Sequence, residues 1–525
     1  MIAFSALLER LVFTPARGAK IALLRRYFTT APDPDRGFAL AAIAGDLAFA
    51  AAKPALIRTL AESRTDPVLF ALSYDYVGDL AETVALTWPG EPTGAPPRLS
   101  EVVGTLAAAG KAELPAIVSG WLDASRPSVR LALLKLITGG LRVGASARLA
   151  KTALAGIGGV EIDAIEEVWH GLAPPYAPLF AWIEGRGPKP DAEGIPTFRP
   201  PMLAHPLEPA DFAALDWPAF RAEWKWDGIR VQIVAGPSGA RLFSRGAEDI
   251  SAAFPDVLAA MDFHAVLDGE LLVMRDGAVA PFADLQQRLN RKAPGPKLLD
   301  SHPAAVRLYD ILLDAAEDLR PLPFDTRRAR LEEWFARTAP ARMDLSPLIA
   351  FVTPGDLAEI RAGARAAAIE GLMLKRADSP YLPGRPKGPW WKWKRDPLTV
   401  DAVLMYAQRG HGKRSSFYSD YTFGLWRDDG ALVPVGKAYS GFTDAELTML
   451  DRWVRAHTTA RFGPVREVEK AMVLEIAFDA AQASARHKSG VALRFPRVAR
   501  IRTDKPAAEA DRLETLLAQI NRKVL

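Results

Sequence analysis

Glu223-Trp224-Lys225-Trp226-Asp227-Gly228-Ile229-Arg230 places a lysine two residues before an aspartate, with a glycine next and an arginine two further on. The residues that follow alternate, with apolar Ile229, Val231 and Ile233 separated by Arg230 and Gln232. Period-two spacing predicts a strand, which would put Glu223, Lys225 and Asp227 on one face. Gly228 lets the backbone bend or approach a ligand closely. A lysine between two carboxylates is either a structural ion pair or a poised nucleophile. Free lysine has a pKa near 10.4, so only roughly 0.04% is neutral at pH 7. A nucleophilic lysine therefore needs cations or a metal nearby.

The rest of the chain bounds the choice. Its 525 residues suffice for about three domains, and 49% hydrophobic and 24% charged residues are those of a globular protein. A net charge of +4 permits a basic face for nucleic acid without requiring one. With no cysteine, disulfides and cysteine-ligated metal sites are excluded. Glu9 and Arg10 precede any long apolar run, so no signal peptide is expected. No uncharged stretch of about 18 residues suggests a membrane span. A cytoplasmic protein is expected.

Residues 1–185 read as helices. Phe4, Leu7, Leu8 and Leu11 trace one buried face, and Val129, Ala132, Leu133 and Leu136 repeat it before the stop Gly139-Gly140. Ser146 suits the N-cap of a helix ending near Gly156. Basic residues gather at these helix ends: Arg17, Lys20, Arg25 and Arg26, then Arg142, Arg148 and Lys151. Together with free backbone N–H groups they suit phosphates, although solvated surface is the commoner reason for any one of them. Residues 186–208 are rich in proline and read as a linker.

Between 209 and 395, strand-like and helical patterns alternate, and several stretches could complete a site around Lys225. Ser244-Arg245-Gly246 follows a strand-like run. Asp268-Gly269-Glu270 sets two carboxylates on one strand face, fit for a metal or a ribose. Tyr309-Asp310 offers an aromatic for stacking, and Glu370-Gly371-Leu372-Met373-Leu374-Lys375 begins with a carboxylate. In Trp390-Trp391-Lys392-Trp393-Lys394 the two lysines share a strand face and would repel unless an anion such as a triphosphate lay between them. From 396 to 525, short alternating strands suggest a small antiparallel barrel of the oligonucleotide-binding type. Its Gly410–Arg414 loop carries Lys413 and Arg414, which suit a phosphate backbone. A last helix is expected over Pro506–Leu525.

In this order these stretches, with Arg502-Thr503-Asp504-Lys505, resemble the motifs of the covalent nucleotidyltransferases, and among them the bacterial and archaeal ATP-dependent DNA ligases. Leu141-Arg142-Val143-Gly144 before a helix resembles the DNA-binding domain that precedes the core of larger ligases. The resemblance implies a multidomain fold: an all-α N-terminal domain, an α+β nucleotidyltransferase core of the ATP-grasp-like ligase type, and a C-terminal OB-fold β-barrel. It implies a reaction in which Lys225 takes AMP from ATP, AMP passes to the 5′-phosphate at a nick in duplex DNA, and the 3′-hydroxyl displaces it, serving repair, replication or recombination.

The implied roles follow residue by residue. Glu223 would read the adenine amino group and Tyr309 stack on the base, with Met373 over its other face. Arg230 and Arg245 would hold the ribose and the nick's 5′-phosphate. Glu270 and Glu370 would serve ribose or a divalent ion, Mg²⁺ or Mn²⁺. Lys392 and Lys394 would contact the α-phosphate and help lower the pKa of Lys225. Arg502 and Lys505 would orient pyrophosphate, with a hinge near Arg395–Pro397. Arg142, Arg148, Lys413 and Arg414 would contact DNA. A monomer is expected, with repair proteins of unspecified identity as partners. RNA ligases and GTP-using capping enzymes share the core chemistry. An NAD-dependent ligase is disfavoured because those carry a cysteine zinc module, and an inactive nucleic-acid clamp would need no pair of metal-binding carboxylates.

Overall fold

Leucine and alanine recur at helical spacing through the first 183 residues, and each run folds as a helix, from Ile2–Phe13 to Ala177–Ile183. The computed structural model describes residues 1–525 apart from 192–195, 290, 292, 365–368, 411–415, 485–486 and 522–525. Phe4, Leu7, Leu8 and Leu11 are buried as their spacing demands. Helix Pro127–Thr138 ends at Gly139, whose φ of 75° is open to glycine at little cost. The Ser146 hydroxyl accepts the Leu149 N–H at 3.3 Å, and the helix it caps runs to Gly158, two residues beyond the expected end.

Two of the cations expected at phosphates are engaged within the protein instead. Lys20 donates to the Gly144 carbonyl at 2.7 Å. Lys151 is buried 2.5 Å from Glu166 and stands 4.1 Å from the Trp169 ring centre. A desolvated lysine needs such a counter-charge, so Lys151 holds helices together. Arg142 and Arg148 are exposed.

The chain divides into two compact units, Met1–Ala350 with Met373–Lys392, and Phe351–Leu372 with Trp393–Leu525. Strands of the first, two of which (Ile369–Arg376 and Trp390–Lys394) run on into residues of the second, form two sheets. One runs β1-β12-β11-β2-β10 and the other β4-β3-β5-β7-β8, with β6 on β5 and β9 on β7. Their ranges are β1 His205–Pro206, β2 Phe220–Trp226, β3 Ile229–Gly236, β4 Gly239–Ser244, β5 Ala265–Arg275, β6 Ala278–Val279, β7 Ala304–Asp314, β8 Glu317–Asp318, β9 Met343–Leu345, β10 Leu348–Ile349, β11 Ile369–Arg376 and β12 Trp390–Lys394. Valine, isoleucine and leucine on β3, β5 and β7 form the core, closed by helix Phe324–Thr338 with Leu331 and Trp334.

The span expected as a linker is partly folded onto this core. Phe198, Met202 and Ala204 are buried with Phe243, Tyr381 and Trp390, and His205–Pro206 pairs in parallel with Trp391–Lys392. Reciprocal bonds tie the Arg199 backbone to the Gln232 amide, at 2.6 and 2.9 Å. Proline density misled here because proline is tolerated at sheet edges and in strands that donate few ladder bonds.

In the second unit, β13 (Leu398–Arg409) pairs antiparallel with β14 (Tyr418–Trp426), which pairs with β15 (Leu432–Ala438). β13 also pairs with β17 (Val465–Val468) and β18 (Val473–Phe478), while β16 (Thr458–Phe462) joins β17. β19 (Ala480–Ala483) and β20 (Val491–Arg494) form a separate hairpin, and β21 (Arg497–Arg502) joins β18. Helix Asp444–Ala456, absent from the sequence reading, buries Leu447, Leu450 and Val454 and opens with a capping box between Thr443 and Glu446. The expected last helix is shorter, Leu513–Asn521. Among the described residues no helix is long and apolar enough to cross a membrane.

Candidate active site

The quoted stretch is not one strand. β2 ends at Trp226, Asp227-Gly228 turns, and β3 begins at Ile229 in the other sheet. Lys225 therefore stands, half-buried, where the chain crosses from sheet to sheet. Gly228 explains the tightness of the crossing. A Cβ there would lie 2.5 Å from the Leu271 carbonyl and 2.8 Å from the Glu270 Cγ, distances no side chain tolerates without moving β5. The glycine thus serves close approach to β5 rather than a left-handed turn.

Glu223, two residues before Lys225, is 2% exposed, and its Oε2 pairs with Lys375 at 2.8 Å. Its Oε1 is buried and accepts no hydrogen bond among the described residues. Burial pushes the Glu223 carboxyl above its usual range, and the Lys375 charge opposes that rise.

β5 and β7 fall out of step between Asp268 and Gly269: Asp268 faces Asp310, and Gly269 faces Leu308. The skipped residue is Tyr309, so the expected stacking aromatic is the extra residue of a bulge, a device that re-aims one side chain. Tyr309 is half-buried. Burial, then the Asp268 charge, holds its phenol well above the usual value, so it stays neutral. Its neighbour Asp310 is fully buried and receives Arg327 through two bonds, at 2.8 and 3.0 Å.

Arg230 differs from expectation. It faces Glu270 in the β3–β5 register, yet its guanidinium reaches diagonally to Asp268, at 3.0 and 2.5 Å. It also donates to the Met202 carbonyl at 2.6 Å and the Tyr381 hydroxyl at 3.1 Å. With those bonds made, Arg230 braces the sheet, and the same bonds remove Asp268 from the candidate metal ligands. Arg245 sits exposed in the turn closing on Ser244, whose backbone N–H donates to the Glu248 carbonyl at 2.8 Å. Met373 packs beside the cluster containing Met202, Tyr381 and Trp390. Lys392 is half-buried on β12.

Glu370, Lys394, Arg502 and Lys505 belong to the second unit. Glu370 lies 3.5 Å from Lys394 and 3.7 Å from Arg494, and Lys394 also reaches Asp479 at 3.4 Å. Gly371, with φ of 145°, lets β11 pass so close to β12 that a Cβ would collide with the Trp393 carbonyl. Arg502 and Lys505 both bond Asp401 Oδ2, at 2.8 and 2.7 Å. Arg502 also holds Asp504, whose carboxyl is drawn down to about 2 by that hydrogen bond. The Gly410–Arg414 loop, with Lys413 and Arg414, lies outside the described residues apart from Gly410.

Among the described residues no group of three or more histidines and carboxylates is placed to hold a metal. Mg²⁺ at a nucleotide does not need one, because one or two carboxylates and the substrate phosphates suffice. Half-buried Glu270 fits that requirement. Glu370, with cations on both oxygens, fits it less well than the sequence suggested. Sequence reasoning missed the buried supports Arg328, Arg327 and Tyr381. Lys375 was legible only as the end of the Glu370 stretch, on the face of Met373 by strand period.

A model described as the ATP dependent DNA ligase domain matches residues 201–394, and one for the ATP dependent DNA ligase C terminal region matches residues 414–505. A probable DNA ligase of Anaeromyxobacter sp. (strain K) is 33% identical over 534 residues, covering 96% of each chain. A probable DNA ligase of Opitutus terrae is 32% identical over 625 residues, covering 98% of this chain and 61% of that one. One from Koribacter versatilis is 38% identical over 337 residues, 60% of this chain and 58% of the relative. The chain thus spans about three-fifths of the length of the latter two. A solved structure titled Pmar-Lig_PreS3, 18% identical, covers 95% of this chain and 99% of its own with a TM-score of 0.59, a likeness of fold. With its helical N-terminal region, nucleotidyltransferase core and C-terminal OB-fold sheet domain, the chain belongs to the ATP-dependent DNA ligases.

Proposed function

We propose that this protein seals nicks in duplex DNA with ATP, using Lys225 as the nucleophile. The observation that carries this reading is the sheet-to-sheet crossing, which presents Lys225 two residues from a buried carboxylate that still has an open acceptor. Lys225 Nζ, once deprotonated, attacks the α-phosphorus of ATP. An N–P bond forms, the bond from the α-phosphorus to the bridging oxygen breaks, and pyrophosphate leaves. A 5′-phosphate oxygen at the nick then attacks the same phosphorus and releases the lysine. Finally the 3′-hydroxyl attacks the 5′-phosphorus and AMP departs. Positioning and charge neutralisation supply most of the acceleration in such transfers.

Glu223 would read the base with Tyr309 stacked on it, and Met373 would lie against its other face. Arg245 would meet the nick's 5′-phosphate, while Arg230 would keep Asp268 and the strand that carries Glu270 in place. Lys392 and Lys394 would hold the α-phosphate, with Glu370 steadying Lys394. Arg142 and Arg148 would contact the DNA backbone. Glu270 would hold a divalent ion, which when bound neutralises phosphate charge. The protein would act as a monomer in the cytoplasm, divided into a helical domain over 1–185, an adenylation domain over 209–395 and a barrel over 396–525.

Arg502 and Lys505 would steady the departing pyrophosphate, which requires them to exchange Asp401 for phosphate oxygens. Arg502→Ala is therefore expected to slow self-adenylylation about 10²-fold, while sealing of a pre-adenylylated nick slows by less than about threefold. Equal slowing of both steps would remove Arg502 from this role. The reading as a whole is tested by offering nicked DNA and nicked RNA duplexes with ATP or GTP. Sealing of DNA with ATP is the expected outcome; sealing confined to RNA or to GTP would replace it with one of the related chemistries.

A further inference from the structure

Beside the candidate base-reading Glu223 lies a buried lysine. Lys375 is 1% exposed. Its ammonium stands 4.5 Å from the Tyr309 ring centre, 4.9 Å from Phe324 and 4.7 Å from Trp390. It donates to the Tyr309 carbonyl at 3.3 Å and pairs with Glu223 Oε2 at 2.8 Å. Such a pair is no better for stability than well-packed apolar side chains, so stability alone does not account for it. Arg328 adds a second positive charge 3.7 Å from Glu223 Oε1, but its hydrogen bonds go to Ser346 and Glu332. Glu223 is thereby left with one oxygen occupied and the other a buried acceptor without a donor among the described residues.

We infer that Lys375 is a positioning residue for nucleotide choice: it keeps Glu223 ionised and oriented as a pure acceptor, so that the site takes a 6-aminopurine nucleotide and rejects a 6-oxopurine one. The inference rests on the proposed nucleotidyl transfer. An ionised carboxylate has no proton to give. It accepts from the adenine amino group, whereas the guanine O6, itself an acceptor, meets a buried oxygen with no proton to give. Sites that must leave a polar group unpaired reject the wrong partner by about 10⁴-fold or more. Removing Lys375 leaves a buried carboxylate with Arg328 beside it and the acidic Asp310 opposing its charge. Uncompensated burial then favours the protonated acid, which can donate to guanine O6. The base preference should relax.

The test compares nucleotidylation of Lys225 by ATP and by GTP in the full-length wild type, Lys375→Met and Lys375→Arg, each as kcat/KM across pH. Wild type is expected to favour ATP strongly. Lys375→Met should lower the ATP-to-GTP ratio at least tenfold near neutral pH and recover part of it as pH rises and Glu223 ionises. Lys375→Arg should retain the ratio. If the methionine variant does not fold, Lys375→Gln, which keeps a donor but no charge, should show the same fall. A variant that loses ATP and GTP use in equal proportion, with an unchanged ratio at every pH, would overturn the inference alone. Failure of the wild type to form an adduct with either nucleotide would overturn the underlying reaction and the inference with it.

Discussion

Lys225→Ala should abolish self-adenylylation and nick sealing together while leaving the fold intact. The nucleophile has no substitute in the proposed first step, and removing a covalent nucleophile typically costs on the order of 10⁴-fold or more. Lys225 is half-buried at the end of β2 rather than inside either core cluster, so the unfolding free energy should change by less than about 1 kcal/mol. Lys225→Arg should be equally inactive, because a guanidinium remains charged and cannot act as a nucleophile near neutral pH. Sealing assays with wild type and both variants, paired with thermal unfolding, check the claim. Residual sealing by Lys225→Ala within tenfold of wild type would locate the nucleophile elsewhere.

Asp310→Ala should do the reverse, damaging the fold first. Asp310 and Arg327 are both fully buried, and Arg327 also reaches the Leu322 and Ser379 carbonyls at 2.6 and 3.0 Å. Removing the carboxylate leaves a guanidinium without its counter-charge in the interior, a loss of about 3–5 kcal/mol. Such a loss is a large share of the roughly 5–15 kcal/mol that holds a domain together. Activity should fall with it, since Tyr309 is the neighbouring residue of the same bulge. Asp310→Leu combined with Arg327→Met removes both charges and should recover most of the stability. Chemical unfolding of the single and double variants decides the matter, and a single variant within about 1 kcal/mol of wild type would refute the argument.

Much of this was legible in the sequence because the chemistry needs particular residue types in order. The helical faces of Ile2–Phe13 and Pro127–Thr138, the cap at Ser146 and strands β13, β14, β15 and β18 follow from local periodicity and capping, whereas β20 and β21 read only as a charged tail. The failures come from tertiary structure. Period two carries Glu223, Lys225 and Asp227 along one face only while the strand lasts, and β2 stops at Trp226 because the chain must reach the other sheet. Glu223 and Lys225 alone keep the expected relation. Helix Asp444–Ala456 could have been found, since Thr443 and Glu446 spell a capping box before leucines at helical spacing.

Charge was the least legible property. Lys151 and Arg230 look like surface cations in a list of basic residues, and both spend their bonds on buried carboxylates, Glu166 and Asp268. Spacing cannot reveal this, because the partners lie on other helices and strands. The same is true of Lys375, whose partner Glu223 is 152 residues earlier in the chain.

The most direct measurement is to incubate the full-length protein with ATP and Mg²⁺ in the absence of DNA and map the resulting adduct by peptide mass spectrometry. The account predicts one AMP per molecule on Lys225, with release of one pyrophosphate. AMP on Lys375, Lys392 or any other residue, or no adduct at all, would contradict it.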